Sequence, residues 1–167
     1  KTKLEQFHGI WRRMELLTTT EKGAMIFSDY GHVAESLEIG RKALEEKFPE
    51  KELICVFQPH QMHRILQGRD RFPEAMKGYH QRFIYRIYAA RETFEEITDK
   101  RLKTTGVHNV DELGVVFAQH CDALYLNTFT AVADIIEQAR ENEIIVVYAA
   151  GDIDYDLRKF LRLLPES

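Results

Sequence analysis

Two runs that are apolar at every position constrain the fold of this chain most strongly. They lie at residues 53–57 (Leu-Ile-Cys-Val-Phe) and 144–148 (Ile-Ile-Val-Val-Tyr). A strand that is apolar on both faces is typical of the centre of a parallel sheet that helices cover on both sides. We therefore predict that both runs are central strands of an α/β domain.

Stretches with the apolar spacing of helices alternate with the apolar runs, which favours a parallel sheet with crossover helices. The spacing predicts a helix over residues 34–48, which Pro49 ends, and another over about 70–79. The other predicted elements are strands at 24–28, 83–88 and 123–126, helices after an Asp111 N-cap and over 130–140 and 154–164, and an initial strand within 11–17. Residues 93–110 give no clear pattern. We expect one three-layer, Rossmann-like α/β domain over residues 1–167, with a mostly parallel sheet flanked by helices.

Composition excludes several classes of protein. The net charge is -4, and acidic and basic residues are mixed along the chain, which argues against a nucleic-acid binder. No apolar run approaches the roughly 20 residues of a membrane span, and the first residues have no signal-peptide character. Cys55 and Cys121 are far apart and do not suggest a secreted disulfide framework, and Cys55 is expected to be a small core residue. We expect a cytoplasmic protein.

Polar turns follow several of the predicted strands. Their sequences are Ser28-Asp29-Tyr30-Gly31-His32, Gln58-Pro59-His60 and Ala150-Gly151-Asp152. Because the carboxyl ends of parallel strands meet at one edge of a sheet, where ligands bind in open α/β folds, we expect these turns to converge on one site.

The sequence nevertheless has none of the common motifs of a self-sufficient nucleotide enzyme. It contains no Gly-x-x-x-x-Gly-Lys-Ser/Thr loop, no Gly-x-Gly-x-x-Gly fingerprint, no zinc-binding Cys-x-x-Cys or His-Glu-x-x-His, and no Gly-x-Ser-x-Gly elbow. A predicted site without phosphate-binding machinery indicates that the catalytic half lies on another domain.

Five motifs, in order, carry a resemblance to a known family. They are Phe7-His8-Gly9-Ile10-Trp11-Arg12-Arg13-Met14-Glu15, Asp29-Tyr30-Gly31-His32, Gln58-Pro59-His60-Gln61-Met62-His63-Arg64, Tyr88-Ala89-Ala90-Arg91-Glu92 and Ala150-Gly151-Asp152-Ile153. The series resembles the C-terminal domain of the Mur ligases, ATP-dependent amide-forming enzymes of peptidoglycan synthesis, and within them the alanine-adding members.

The resemblance implies a three-domain enzyme of which this chain is the third domain. The N-terminal domain would bind UDP-N-acetylmuramate, and the central domain would hold most of the ATP and Mg²⁺. In such enzymes an acyl phosphate forms and is attacked by the amine of an incoming amino acid or peptide. This chain alone is expected to be inactive.

The resemblance also implies roles for individual residues, each beside a structural alternative. On the nucleotide side, Arg13 matches an arginine that reaches the ATP phosphates, with a surface ion pair to Glu15 as the alternative. Asp29, Tyr30 and His32 match an element near the nucleotide, with capping of the next helix as the alternative for Asp29. Arg12 is expected to be structural or solvent-facing.

On the substrate side, His60 and Arg64 match an element that faces the incoming amino acid. The alternatives are a surface salt bridge for Arg64 and metal binding by His60 with His63. Asp152 matches the closing element of the family, with capping of the last helix as the alternative.

Several positions depart from the pattern of the alanine-adding ligases. Val33 replaces a second histidine, Gln61 replaces an arginine, and Arg91 replaces a glycine. These positions face substrate in the family, and the missing arginine and histidine keep open a non-catalytic binding module. A ligase that reattaches recovered murein peptide is a second alternative, which the Gln58-Pro59-His60 element fits less well.

Overall fold

The structure is a computed structural model, and it describes residues 12–96 and 106–163. Trp11 and Leu164, the predicted limits of the first strand and the last helix, lie outside the described residues.

The described part of the chain forms one six-stranded sheet with the order β1-β2-β6-β3-β4-β5. The strands are β1 (Glu15–Thr19), β2 (Met25–Asp29), β3 (Glu52–Gln58), β4 (Gln81–Tyr85), β5 (Leu124–Leu126) and β6 (Glu143–Ala149). All neighbouring strands are parallel except β1, which pairs antiparallel with β2 at one border of the sheet. The apolar runs form β3 and β6 at the centre, as their sequences predict.

Helices connect the parallel strands. They are α1 (Ala34–Lys47), α2 (Met62–Gly68), α3 (Phe72–Met76), α4 (Val110–His120), α5 (Phe129–Gln138) and α6 (Ile153–Phe160), with a 3₁₀ turn at Phe94–Glu96. No helix in the described ranges is long and apolar enough to cross a membrane.

Alternate residues of the central strands pack into two separate cores, one on each face of the sheet. Cys55 and Val146 belong to the core that α1, α2, α3 and α4 cover. Ile54 and Val147 belong to the core that α5 and α6 cover. This two-sided packing confirms the predicted three-layer architecture. Cys55 is fully buried with a free thiol, as expected of a core residue.

Two local predictions are wrong. The N-cap of α4 is Asn109 rather than Asp111, because the Asn109 side chain accepts from the amide of Glu112 at 2.9 Å. Asn109 and Glu112 have the spacing of a capping box, which the sequence could have shown. The predicted helix at 70–79 is only the short α3, and α2 before it was not predicted.

Candidate functional site

The carboxyl ends of neighbouring parallel strands lie side by side at one edge of the sheet. Four rings in the segments that follow β2, β3 and β4 form a row, with successive centroids 5.7 to 5.8 Å apart. The row runs through Tyr30, His32, His60 and Tyr88. We call this region the carboxyl edge (residues 29–32, 58–64, 86–92 and 149–152). The polar turns that the sequence predicted to converge meet here.

Arg13 lies beside the first ring of the row. Its guanidinium carbon is 5.6 Å from the centre of the Tyr30 ring, and that of Arg12 is 4.9 Å from the same centre. Glu15, the ion-pair partner considered for Arg13, is instead bound by Arg158 at 2.7 Å. An exposed guanidinium beside a partly exposed tyrosine suits a planar or phosphorylated ligand.

Asp29 ends β2 and is 7% exposed. Its Oδ2 accepts from the amide of Met14 at 2.8 Å, and its Oδ1 accepts from the amide of Gly31 at 2.6 Å. The Gly31 amide lies in the turn before α1 and the Met14 amide lies before β1, so Asp29 joins these two segments rather than capping the helix. A Cβ on Gly31 would lie 2.7 Å from Oδ1 of Asp29, so the glycine is needed for space. Since each carboxylate oxygen can accept further bonds, the ribose-binding role of Asp29 stays a prediction.

His32 connects the segments after β2 and β3. Its Nε2 is 2.7 Å from Nη1 of Arg64, and its Nδ1 is 3.2 Å from the carbonyl oxygen of Tyr30. Because a guanidinium can only donate, Nε2 must accept, and Nδ1 carries the proton and donates to Tyr30. His32 is therefore neutral in this arrangement.

His60 occupies the middle of the row and is half-buried. Its ring stacks on Tyr88, and its Nδ1 is buried with no hydrogen-bond partner among the described residues. Burial lowers the pKa of His60, and the positive charge of Arg64 lowers it further, while Glu92 opposes them. An imidazole that stays neutral near pH 7 can accept from an ammonium group or donate to an anion.

Asp152 follows β6 and holds three strands together at this edge. Its Oδ1 accepts from Nε2 of Gln58 at 2.7 Å, and its Oδ2 accepts from Nη2 of Arg86 at 2.6 Å. Burial acts to raise the pKa of Asp152, but these hydrogen bonds outweigh it and hold the pKa below its ordinary value. The helix-capping interpretation is wrong, because the Asp152 side chain makes no cap bond and Oε1 of Gln58 accepts from the amide of Ile153 instead.

A buried ionic cluster supports the β2–β6 side of the edge. It consists of Arg12, Glu15, Ser28, Asp154 and Arg158. Asp154, only 4% exposed, accepts from Ser28 at 2.5 Å and pairs with Arg158 at 3.0 Å and Arg12 at 3.3 Å. Arg12 also donates to the carbonyl oxygen of Ala149 at 2.5 Å, which confirms its structural role. Sequence reasoning missed the cluster, although the i,i+4 spacing of Asp154 and Arg158 is visible in the sequence.

The carboxyl edge contains groups of the chemical types that can bind and orient ligands. Guanidinium and imidazole groups can neutralise phosphates and carboxylates, and the row of rings can support a planar base. In the described ranges, no group of three or more His, Cys, Asp or Glu side chains is placed to hold a metal ion.

The fold and the site define an open α/β domain whose cationic, ring-lined carboxyl edge is suited to an anionic ligand. Residues 12–151 match the family described as Mur ligase, glutamate ligase domain. The chain belongs to this family of ligase C-terminal domains.

Individual relatives agree with the family. The chain is 29% identical over 163 residues to a UDP-N-acetylmuramate–L-alanine ligase of Caldanaerobacter subterraneus, and the match covers 96% of this chain and 33% of the relative. The chain thus spans about a third of the length of the curated relatives it matches.

Solved structures show the same fold. A UDP-N-acetylmuramate-alanine ligase of Thermotoga maritima matches with a TM-score of 0.68 and 19% identity, over 96% of this chain and 31% of that one. A murein peptide ligase of Psychrobacter arcticus matches with a TM-score of 0.62 and 18% identity, over 95% of this chain and 31% of that one. A Yersinia pestis folylpolyglutamate synthase/dihydrofolate synthase, complexed with AMPPNP and Mn ion, matches with a TM-score of 0.62 and 10% identity, over 92% of this chain and 32% of that one.

Proposed function

We propose that this chain is the C-terminal domain of an ATP-dependent ligase of peptidoglycan precursor synthesis, and that its carboxyl edge closes over the reacting groups. The observation that carries the proposal is the continuous row from Tyr30 to Tyr88, with Arg13 at one end and Arg64 beside its middle. Such a lid supplies cations for phosphates and groups that orient an incoming amine.

We divide the edge into two sides. The nucleotide side comprises Arg13, Asp29, Tyr30 and His32, where an exposed guanidinium and a tyrosine ring lie next to the end of β2. The substrate side comprises His60, Arg64 and Asp152. Arg64 can hold a carboxylate, and the neutral His60 can receive a hydrogen bond from an amine. Asp152 contributes by holding Arg86 and Gln58, since both of its oxygens are already engaged.

The proposed substrates are UDP-N-acetylmuramate and L-alanine or a related amino acid or peptide. ATP would activate the carboxylate as an acyl phosphate, and Mg²⁺ would be held mainly by the central domain of the ligase. The proposal includes an N-terminal domain for the UDP-sugar and a cytoplasmic location. AMPPNP and Mn in the Yersinia pestis structure support a nucleotide and a divalent cation for ligases of this fold.

Two alternatives have specific support. Gln61 and His63 at the substrate side differ from the alanine-adding pattern, which leaves the identity of the amine open, and a murein peptide ligase is among the matching structures. The same departures motivate a binding module without ligase activity.

A chimera tests the reaction and the substrate together. This chain would replace the matching third of the Caldanaerobacter subterraneus ligase, and phosphate release from ATP would be measured with UDP-N-acetylmuramate. The amines supplied would be L-alanine and, separately, the murein tripeptide. We expect amine-dependent phosphate release, with Arg13→Ala reducing it by about 100-fold if its guanidinium stabilises the transferring phosphoryl group.

Arg140→Ala is the matched control, because this exposed arginine precedes β6 and therefore lies at the opposite edge of the sheet. Turnover with the tripeptide alone would select the recycling ligase. A folded chimera that releases no phosphate with either amine would favour the binding module.

A further inference from the structure

Helix α2 carries Arg64 and begins just after His60, yet its own sequence supplies no cap. Gln61 holds the N-cap position with φ of 63°, in the left-handed region, and its side chain makes no cap hydrogen bond. The first amides of a helix need partners from elsewhere, so an uncapped start at this position would leave the end of α2 poorly fixed.

Glu92 supplies the missing cap from a distant part of the sequence. Its Oε2 accepts from the amide of Met62 at 2.5 Å, and its Oε1 contacts Nδ1 of His63. The side chain of Glu92 is 19% exposed, so this carboxylate is directed into the protein rather than into solvent.

The backbone joins the same two segments. The amide of Gln61 donates to the carbonyl oxygen of Tyr88 at 2.9 Å. The amide of Tyr88 donates to the carbonyl oxygen of Pro59, also at 2.9 Å. The segments 59–63 and 88–92 therefore form one bonded unit, and Glu92 is its side-chain connection to α2.

We propose that Glu92 is a positioning residue of the carboxyl edge, which caps α2 from outside the helix and thereby sets the places of Arg64 and His60. Glu92 acts through the helix and does not itself touch the ligand. The ligand that Arg64 and His60 would receive rests on the proposed function, whereas the contacts of Glu92 do not.

A test of this proposal must separate the effect of the Glu92 charge from the effect of its cap on the position of α2. Among the groups that act on His60, Glu92 is the acid, and His32, His63 and Arg64 are the bases. Removing the carboxylate makes the region more positive and by itself strengthens the binding of an anion. Glu92→Ala and Glu92→Gln remove the same charge, but only glutamine keeps an oxygen that can accept from Met62.

The experiment compares these two variants by amide NMR during a titration with inorganic phosphate. We expect Glu92→Gln to keep the Met62 amide near its wild-type position and Glu92→Ala to shift it, together with the amides of Arg64 and His60. Phosphate should bind Glu92→Ala about fivefold more weakly than Glu92→Gln, the change that corresponds to loss of one helix cap. Glu95→Ala, which alters an exposed acid in the same segment, should behave as wild type.

Equal phosphate affinity and unmoved Met62 and Arg64 amides in both variants would overturn the proposal. If Glu92→Ala does not fold, Glu92→Gln decides: a displaced Met62 amide refutes the cap, and a retained one supports it. A wild-type chain that shows no phosphate shifts would contradict the proposed anionic ligand, and the Met62 and Arg64 amides would still decide the role of Glu92.

Discussion

The two sides of the carboxyl edge are built in opposite ways. On the β2–β6 side, Asp29, Asp154 and Arg12 are each less than 9% exposed and are bound by backbone groups or buried ion pairs. On the β3–β4 side, His63 and Arg64 are exposed. His63 contacts the carboxylate of Glu92, and the guanidinium of Arg64 contacts the imidazole of His32. The first side is therefore preset by the fold, whereas the second, which we call the adaptable side, keeps exposed groups that can reach a ligand.

Loss of the Asp154 carboxylate should have the largest effect on the preset side. Asp154→Ala leaves Arg12 and Arg158 without their shared partner, and breaking a buried pair in this way costs about 3–5 kcal/mol. Urea denaturation measures the free energy of unfolding. Asp134→Ala, an exposed position on α5, should change it by less than about 0.5 kcal/mol. A loss below about 1 kcal/mol for Asp154→Ala would mean that this side is not held by the cluster.

Gly151→Ala should disturb the place where the two sides meet. A Cβ there would lie 2.7 Å from Cγ of Tyr88 and would also press against Oε1 of Gln58. Overpacking of this kind costs about 1–3 kcal/mol, again measured by urea denaturation. Gly68→Ala is the control, because the nearest atom to its Cβ is 3.4 Å away in the Phe72 ring. Equal stability of the two alanine variants would show that the edge is more adaptable than its contacts indicate.

Asp152 should make part of the stability depend on acid pH. Its pKa is lowered in the folded state, so its contribution is present above the unfolded pKa of about 4 and is lost as pH falls through the folded value. Because the side chain is 39% exposed, the contribution should not exceed about 1 kcal/mol. The difference in free energy of unfolding between wild type and Asp152→Asn should shrink as the pH falls from about 5 to about 2. A difference independent of pH would contradict the charge-assisted bonds.

The smallest expected effect is a lowered titration midpoint of the His60 imidazole. Burial, and then the charge of Arg64, lower its pKa, so the midpoint should fall below the ordinary value of about 6.5. Any stability linked to neutral His60 is present above that value and is lost as pH falls. Imidazole NMR measures the midpoint, and Arg64→Ala should raise it. A wild-type midpoint above about 6.5 would contradict the half-buried, cation-facing position.

The preset side was largely predictable from the sequence. The apolar runs of β3 and β6 determine the strand centres, and a polar turn after each strand must then lie at the same edge. The pattern alone predicted that Asp29 and Asp152 converge at this edge, beside His60 of the adaptable side. What the pattern could not give was the long-range pairing, since two partners of Asp154, Ser28 and Arg12, come from β2 and the segment before β1.

The adaptable side was less predictable because it depends on contacts between distant segments. Helix α2 has seven residues and no cap in its own sequence, so local signals do not indicate it. Its cap, Glu92, and the positive φ of Gln61 become visible only when the segments after β3 and β4 lie together. The cap given to Asp152 was wrong for the same reason, because Gln58 of a neighbouring strand takes that role.

The most direct test of the central claim is an amide NMR titration of this chain with magnesium-ADP. Affinity in the millimolar range, about -4 kcal/mol, must be detectable, since most phosphate contacts would come from another domain. We expect saturable shifts confined to Arg13 and residues 29–32, with smaller changes at His60 and Arg64. Shifts that are absent, or that scatter over α5 and the opposite edge of the sheet, would contradict a nucleotide site at the carboxyl edge of this chain.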